Sequence, residues 1–172
     1  IMVAPGDAGK AEDALVTLES EKASMEVPAP LSGKVQEITI KVGDKLPAGT
    51  LMEFFEVEKE GCSIGPNAVK VEELTKGRKV VIFGLPGAFT PTCSAKHVPS
   101  YLVNYDKLKA KGVDTIACMS VNDAFVMGAW ARDQKTGGKV RMMGDGSAAY
   151  TKALGLEFDL TAKGLGMRCQ RF

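Results

Sequence analysis

Apolar runs of strand length alternate with helical patterns over the second half of the chain. Residues 79–84 hold a continuous apolar run between polar residues, as in a strand buried on both faces. A helical pattern follows and ends at Lys111 and Gly112. The later segments predict, in order, a strand over 113–121, a helix over 124–134 capped by Asn122 or Asp123, a strand over 140–143 and a short helix over 147–154. This order predicts an α/β domain with a parallel sheet and right-handed crossovers.

The first forty residues show a different pattern. Short alternating stretches predict strands over 15–19 and 35–40, and a polar tip over 20–24 precedes a further stretch over 25–28. We therefore expect a small all-β segment with an exposed hairpin. Residues 40–77 are rich in glycine and proline, which predicts loops and short hairpin strands.

Composition and charge narrow the class of protein. The 172 residues are 45% hydrophobic and 25% charged, which is typical of a globular protein with one large domain or two small ones. The net charge of +1 gives no reason to expect nucleic acid or an anionic membrane surface as a partner. No apolar run approaches the roughly 20 residues that span a bilayer. Residues 1–7 lack the pattern of a signal peptide.

The four cysteines are widely spaced, and none forms a C-x-x-C pair. With His97 as the one histidine, we expect no metal site. Without a secretion signal, the cysteines are interpreted as free thiols of a reducing, cytoplasmic compartment. Cys62 and Cys118 are interpreted as structural, and Cys118 as buried in a strand.

Cys93 has the sequence position of a reactive thiol. It follows the strand over 79–84 by one turn segment and lies where the next helix begins. Reactive groups gather beyond the carboxyl ends of parallel strands, and a helix N-terminus favours a thiolate over a thiol. Thr90 can direct its hydroxyl toward this sulfur or a bound oxygen, and Pro86 and Pro91 stiffen the turn. A buried structural cysteine is the competing interpretation.

The spacing Pro86-x-x-x-Thr90-x-x-Cys93 resembles the active-site signature of peroxiredoxins. Over residues 84–99 the sequence is similar to the atypical, type-5 subfamily, and shorter matches follow over 117–126, 128–130 and 139–142. The resemblance covers residues 40–172. It implies a thioredoxin-like fold and reduction of hydrogen peroxide or alkyl hydroperoxides.

The resemblance also implies roles for individual residues. The Cys93 thiolate attacks the terminal peroxide oxygen and becomes a sulfenic acid. Thr90 and the backbone N–H groups around Thr92 and Cys93 bind the peroxide. Arg171, by alignment, holds the thiolate and the leaving oxygen, with Arg168 as the nearby alternative.

Several other residues have more than one interpretation. Pro86, Thr92 and His97 are assigned to the pocket, and His97 either tunes the thiol or packs structurally. Trp130 is a core residue or a dimer contact. Cys169 could approach Cys93, but we favour a one-cysteine mechanism without cofactor. An external thiol, either glutathione with glutaredoxin or thioredoxin, then acts as reductant, and the resemblance suggests a homodimer.

Residues 18–28, with their flanks, resemble the lipoyl-attachment hairpin of 2-oxoacid dehydrogenase acyltransferases. A carrier lysine must stand at the tip of a tight, exposed turn, and Lys22 is the candidate for covalent lipoate. The competing interpretation is a solvated surface lysine. Both resemblances are incomplete: the lipoyl segment starts after that domain's first strand, and the peroxiredoxin stops before its last strands. Residues 40–46 fit either pattern.

We therefore divide the chain into a partial lipoyl-like segment over 1–39 and a peroxiredoxin domain over 40–172, truncated at its C-terminus. Three functions follow. The first is a thiol-dependent peroxidase. The second is a lipoyl carrier module of a 2-oxoacid dehydrogenase complex. The third is a hybrid in which a dihydrolipoyl arm on Lys22 reduces the oxidised Cys93, since a tether raises its effective concentration.

Overall fold

A computed structural model describes residues 8–10, 14–20, 23–28, 33–34, 45–56 and 64–172. The chain forms two compact units, Ile1–Leu46 and Pro47–Phe172. Lys22, Cys62 and the predicted strand over 35–40 lie outside the described residues.

The described residues of the first unit form two antiparallel strand pairs. β1 (Ala8–Gly9) pairs with β4 (Gly33–Lys34), and β2 (Ala14–Ser20) pairs with β3 (Ala23–Pro28). The predicted strand over 15–19 lies within β2, and β2 and β3 form a hairpin in which Ser20 faces Ala23. Both strands extend further toward the tip than the sequence predicts, since Glu19 pairs with Ser24 and Ser20 with Ala23.

A five-stranded sheet forms the centre of the second unit, in the order β6-β5-β9-β8-β7. Its strands are β5 (Thr50–Phe55), β6 (Gly65–Lys70), β7 (Val80–Gly84), β8 (Thr115–Ser120) and β9 (Arg141–Gly144). β7, β8 and β9 are parallel, as predicted, but β5 is antiparallel to both β6 and β9. The sheet is therefore mixed. The antiparallel β5–β6 hairpin lies within residues 40–77, for which the sequence predicts loops and short hairpin strands.

Short helices connect the strands. They are α1 (Val71–Thr75), α2 (Val98–Val103), α3 (Tyr105–Ala110), α4 (Ala124–Asp133) and α5 (Ala149–Ala153). A π-helical turn over Cys93–His97 precedes α2, a 3-10 turn covers Thr161–Lys163, and the antiparallel hairpin of β10 (Glu157–Leu160) and β11 (Gly166–Cys169) comes last. In the described residues no helix has both the length and the apolar character that a membrane crossing requires.

Two helix boundaries have local causes. The helix predicted to end at Lys111 is divided at Asn104, whose φ of −92° and ψ of 9° depart from α-helical values. The predicted cap of α4 is Asp123, whose carboxylate accepts from the Val126 N–H at 2.9 Å.

The core of the second unit lies against the sheet. One hydrophobic cluster in it contains the buried residues Leu51, Val71, Leu74, Ala117, Met119, Met143, Tyr150 and Cys169. Cys118, on strand β8 between β7 and β9, is fully buried, as the sequence predicts. The core therefore supports β7 and β8, whose carboxyl ends lead into the segments around Cys93.

Gly144 ends β9 where the backbone of residues 122–124 crosses it. A Cβ at this position would lie 2.6 Å from the Asn122 carbonyl oxygen and 2.9 Å from the Ala124 nitrogen. We expect Gly144→Ala to lower the free energy of unfolding by about 2 kcal/mol or more, because backbone atoms must move. In Gly146→Ala the nearest atom is 3.6 Å away, so this matched control stays close to wild type. Urea denaturation measures both, and equal stabilities would contradict the steric argument.

Candidate active site

Cys93 opens the π-helical turn that follows β7 and the connecting segment 85–92. The Ser94 N–H donates to the Thr90 carbonyl at 3.0 Å, which ties the start of the turn to that segment. Cys93 is 1% exposed, so its sulfur lies below the surface rather than in solvent. A buried sulfur becomes reactive only if neighbouring groups stabilise its charge.

Arg171 places a positive charge beside the Cys93 sulfur. Its Nη2 donates to Cys93 Sγ at 3.4 Å, and its Nη1 donates to His97 Nδ1 at 2.6 Å. Arg168, the alternative, donates instead to two carbonyls, those of Leu165 at 2.7 Å and Pro86 at 3.4 Å. Of the two arginines, the structure brings Arg171 to the thiol.

His97 is neutral in this arrangement. A guanidinium has donors and no acceptor, so Nδ1 must accept and the ring proton lies on Nε2. Burial, and then the charge of Arg171, lower the pKa of His97 to about 4. The ring packs against Phe83 and Tyr101, with centroids 5.1 Å and 5.8 Å away. His97 is thus both a packing residue and an acceptor for Arg171.

The residue after Arg171 is fixed to the end of β7. The Phe172 N–H donates to the Gly84 carbonyl at 3.2 Å, and the Gly84 N–H donates to the Phe172 carbonyl at 3.1 Å. The Phe172 ring covers Gly84 so closely that a Cβ there would overlap it. These reciprocal bonds fix the segment that carries Arg171 to the end of β7.

Thr90 lies on the same segment as Cys93. Its hydroxyl donates to the Gly87 carbonyl at 2.8 Å, which leaves its oxygen lone pairs available to a ligand. The Ala88 N–H donates to Asn122 Oδ1 at 3.0 Å, so the end of β8 also holds this segment. Thr92 is exposed and makes no capping bond with its side chain.

Sequence reasoning missed the supporting roles of Asn122 and Trp130. Trp130 is fully buried. Its Nε1 donates at 3.2 Å to Oγ of Ser94, the residue directly after Cys93. Asn122 follows the apolar strand β8, and a polar side chain at the carboxyl end of a parallel strand is the signal that could have identified it. No comparable signal in the sequence links Trp130 to Ser94.

The other described cysteines are interior residues. Burial raises the pKa of Cys118 well above its ordinary value, and burial raises the pKa of Cys169 to about 11. Both side chains are fully buried and stay protonated at neutral pH. Cys62 lies outside the described residues. The described part of the chain contains no cluster of three or more His, Cys, Asp or Glu residues that could hold a metal.

Fold and site together define a thiol-based redox enzyme on a thioredoxin-like scaffold. The Redoxin family model matches residues 41–172. Peroxiredoxin-2C of Oryza sativa subsp. japonica is 51% identical over 133 residues, 77% of this chain and 78% of that protein. The chain therefore belongs to the peroxiredoxin family. It is an oxidoreductase that reduces peroxide with electrons from a thiol.

Solved structures support the same fold. Reduced Prx3 from Vibrio vulnificus in complex with H2O2 has a TM-score of 0.68 and 50% identity, and covers 77% of this chain and 78% of that chain. Peroxiredoxin 5 from Alvinella pompejana has a TM-score of 0.65 and 37% identity, with coverage of 77% and 79%. The predicted thioredoxin-like peroxiredoxin fold is confirmed. The relatives carry the names 2C, Prx3 and 5, which establish the family and not the subtype.

A second family model, described as biotin-requiring enzyme, matches residues 1–54. It agrees with the lipoyl-like segment that the sequence predicts, and it overlaps the Redoxin match over residues 41–54. Within this overlap, β5 belongs to the five-stranded sheet beside β9. Residues 50–54 therefore serve the peroxiredoxin fold.

The low pKa of His97 makes stability depend on pH. The folded pKa of about 4 lies below the ordinary value of 6.5, so the unfolded chain binds more protons between these limits. We expect this residue to destabilise the fold as pH falls from 6.5 to 4, by at most about 1.4 kcal/mol per pH unit. Urea denaturation at several pH values should show that His97→Gln removes this component. An equal pH slope in both proteins would contradict the assignment.

Proposed function

We propose that this chain is a type-5 peroxiredoxin in which the Cys93 thiolate attacks the terminal oxygen of a hydroperoxide. The single observation that carries the proposal is the Arg171 guanidinium, which lies 3.4 Å from the buried Cys93 sulfur and also bonds His97. A fixed cation beside a buried sulfur favours the thiolate, the nucleophilic form. Its second donor is held by a neutral acceptor, so it stays aimed at the thiol.

The sulfur forms a bond to the terminal oxygen, the O–O bond breaks, and the leaving alkoxide or hydroxide takes a proton to become an alcohol or water. The sulfur is oxidised to a sulfenic acid, and the peroxide is reduced by two electrons. Arg171 stabilises the charge that develops on the leaving oxygen, which is typically the largest catalytic contribution of such a site.

Thr90 is the acceptor for the peroxide. Because its own hydrogen is donated to the Gly87 carbonyl, its oxygen is oriented to accept from the O–H of a hydroperoxide. This polarity places the protonated, terminal oxygen near Cys93. Backbone N–H groups at Thr92 and Cys93 complete the binding site, and Pro86 keeps the segment rigid.

The long match over residues 84–99 and the likeness to Alvinella pompejana peroxiredoxin 5 support the type-5 assignment. Hydrogen peroxide is the first substrate to test, because the Vibrio vulnificus relative was solved with it bound. Alkyl hydroperoxides are proposed as further substrates because the mechanism makes no demand on the leaving group beyond a proton.

The reductant is proposed to be an external thiol, glutathione with glutaredoxin or thioredoxin. Cys169 is fully buried, and burial raises its pKa to about 11, so it supplies neither access nor thiolate for resolving the sulfenic acid. Cys118 is buried in the same way. A cytoplasmic location and a homodimer remain predictions.

Peroxide consumption by single-cysteine variants tests the mechanism. We expect Cys93→Ser to abolish thiol-dependent peroxide consumption, and a sulfenic acid trap to label wild type after one equivalent of peroxide. Cys169→Ser is the matched control and should keep both properties. Activity that survives in Cys93→Ser, or is lost in Cys169→Ser, would overturn the one-cysteine mechanism.

For the N-terminal unit we propose covalent lipoate on Lys22. The match of residues 1–54 to the biotin-requiring family supports it, as does the hairpin whose strands end at Ser20 and resume at Ala23. Lys22 would hold the lipoyl group, and the dithiol of that group, when reduced, would supply a thiol reductant for the oxidised Cys93. A carrier function alone is not favoured, since the Redoxin match extends over residues 41–172.

Intact mass after expression with a lipoyl ligase tests this second proposal. We expect one lipoyl group on wild type and none on Lys22→Arg, with Lys10→Arg as the control that keeps it. An unmodified wild-type chain would contradict the proposal of a lipoyl arm. The peroxidase proposal would be unaffected, because it rests on Cys93.

A further inference from the structure

We infer that Arg168 is a positioning residue that fixes the peroxide-binding segment from the side of the β10–β11 hairpin. The inference rests on the proposed function of Thr90 as peroxide acceptor. It assigns to Arg168 a purpose distinct from that of Arg171, although both project from the last strand and the residues after it.

Arg168 joins two parts of the fold through one guanidinium group. Its Nε donates to the Leu165 carbonyl at 2.7 Å within its own hairpin, and its Nη1 donates to the Pro86 carbonyl at 3.4 Å on the segment before Cys93. The side chain is half-buried, which limits competition from water. A planar fork can make both bonds at once, whereas a lysine ammonium on a flexible stem holds no such fixed geometry.

Gly87 makes room for this guanidinium. A Cβ on Gly87 would lie 2.6 Å from Arg168 Nη1, while its next neighbour, Thr90 Cγ2, is 3.4 Å away. Gly87 does not occupy a left-handed conformation, so the backbone itself would accept an alanine. The absence of a side chain is therefore needed for Arg168 and not for the turn.

The contact lies next to the bond that orients Thr90. The Gly87 carbonyl, one residue after the Pro86 acceptor, receives the Thr90 hydroxyl at 2.8 Å. On the side of β8, two hydrogen bonds hold the segment. The Leu85 N–H donates to the Met119 carbonyl, and the Ala88 N–H donates to Asn122 Oδ1. Arg168 holds the segment on the other side, from the β10–β11 hairpin. Its loss would therefore let the Gly87 carbonyl move.

Loss of the Arg168 contact should slow the reaction of Cys93 with peroxide but not its reaction with other reagents. Displacing Gly87 weakens the orientation of Thr90, and hence recognition of the peroxide, but leaves Cys93 and Arg171 together. The Cys93 thiolate should then react more slowly with peroxide and as fast as before with an alkylating agent, which does not need Thr90. A misplacement near 1 Å can lower a rate by up to about 100-fold, and a smaller loop shift should cost about tenfold.

The experiment compares Arg168→Met, Gly87→Ala and the double variant in the full chain. For each, the rate constant of Cys93 with hydrogen peroxide is measured by competition against a haem peroxidase, and that with iodoacetamide by mass spectrometry. We expect the peroxide rate to fall about tenfold in each single variant and no further in the double variant. The iodoacetamide rate should stay unchanged. Arg132→Met, which removes an exposed ion pair to Glu56, is the arginine control and should match wild type.

Three results would overturn the inference: an unchanged peroxide rate in Arg168→Met, equal losses with both reagents, or additive losses in the double variant. If Arg168→Met fails to fold, Arg168→Lys carries the same comparison, since it keeps the charge and loses the fork. Failure of the proposed function is recognised separately, because wild-type Cys93 would then show no rapid reaction with peroxide at all.

Discussion

A positive charge held beside a buried sulfur is the interaction on which the rest of this structure depends. Cys93 is almost completely enclosed, and a thiolate in such a place is costly unless a cation compensates for the lost water. Arg171 provides the cation, and His97 holds its second donor. Because His97 stays neutral, it accepts a hydrogen bond from the guanidinium and does not compete with the sulfur for the positive charge of Arg171.

The fold delivers these groups from distant parts of the chain. The π-helical turn presents Cys93 and His97 from the end of β7, and the segment after β11 brings Arg171 from the other end of the domain. Reciprocal backbone bonds between Gly84 and Phe172 join the two. The position of Arg171 beside Cys93 thus depends on these backbone hydrogen bonds between distant residues.

Sequence reasoning reached part of this arrangement. The apolar run of β7 and the position of Cys93 after it follow from periodicity, and the α/β architecture follows from the order of the elements. The choice between Arg168 and Arg171 depended on family resemblance, because the pairing of Phe172 with Gly84 joins residues far apart in the chain and leaves no local pattern. The role of His97 was undecidable for the same reason, since its partner is 74 residues away. The glycines and prolines of residues 40–77 predict hairpin strands there, but they do not give the bounds of β5 and β6 or their place in the five-stranded sheet.

The bond between Trp130 and Ser94 has a practical consequence. The chain has a single tryptophan, and its indole N–H donates to the residue directly after Cys93. Indole emission responds to the polarity and hydrogen bonding of its surroundings, and here all of it arises from one buried ring that contacts the thiol-bearing turn. Any rearrangement of that turn during the catalytic cycle is therefore reported by intrinsic fluorescence, and the protein carries its own optical probe of the state of its sulfur.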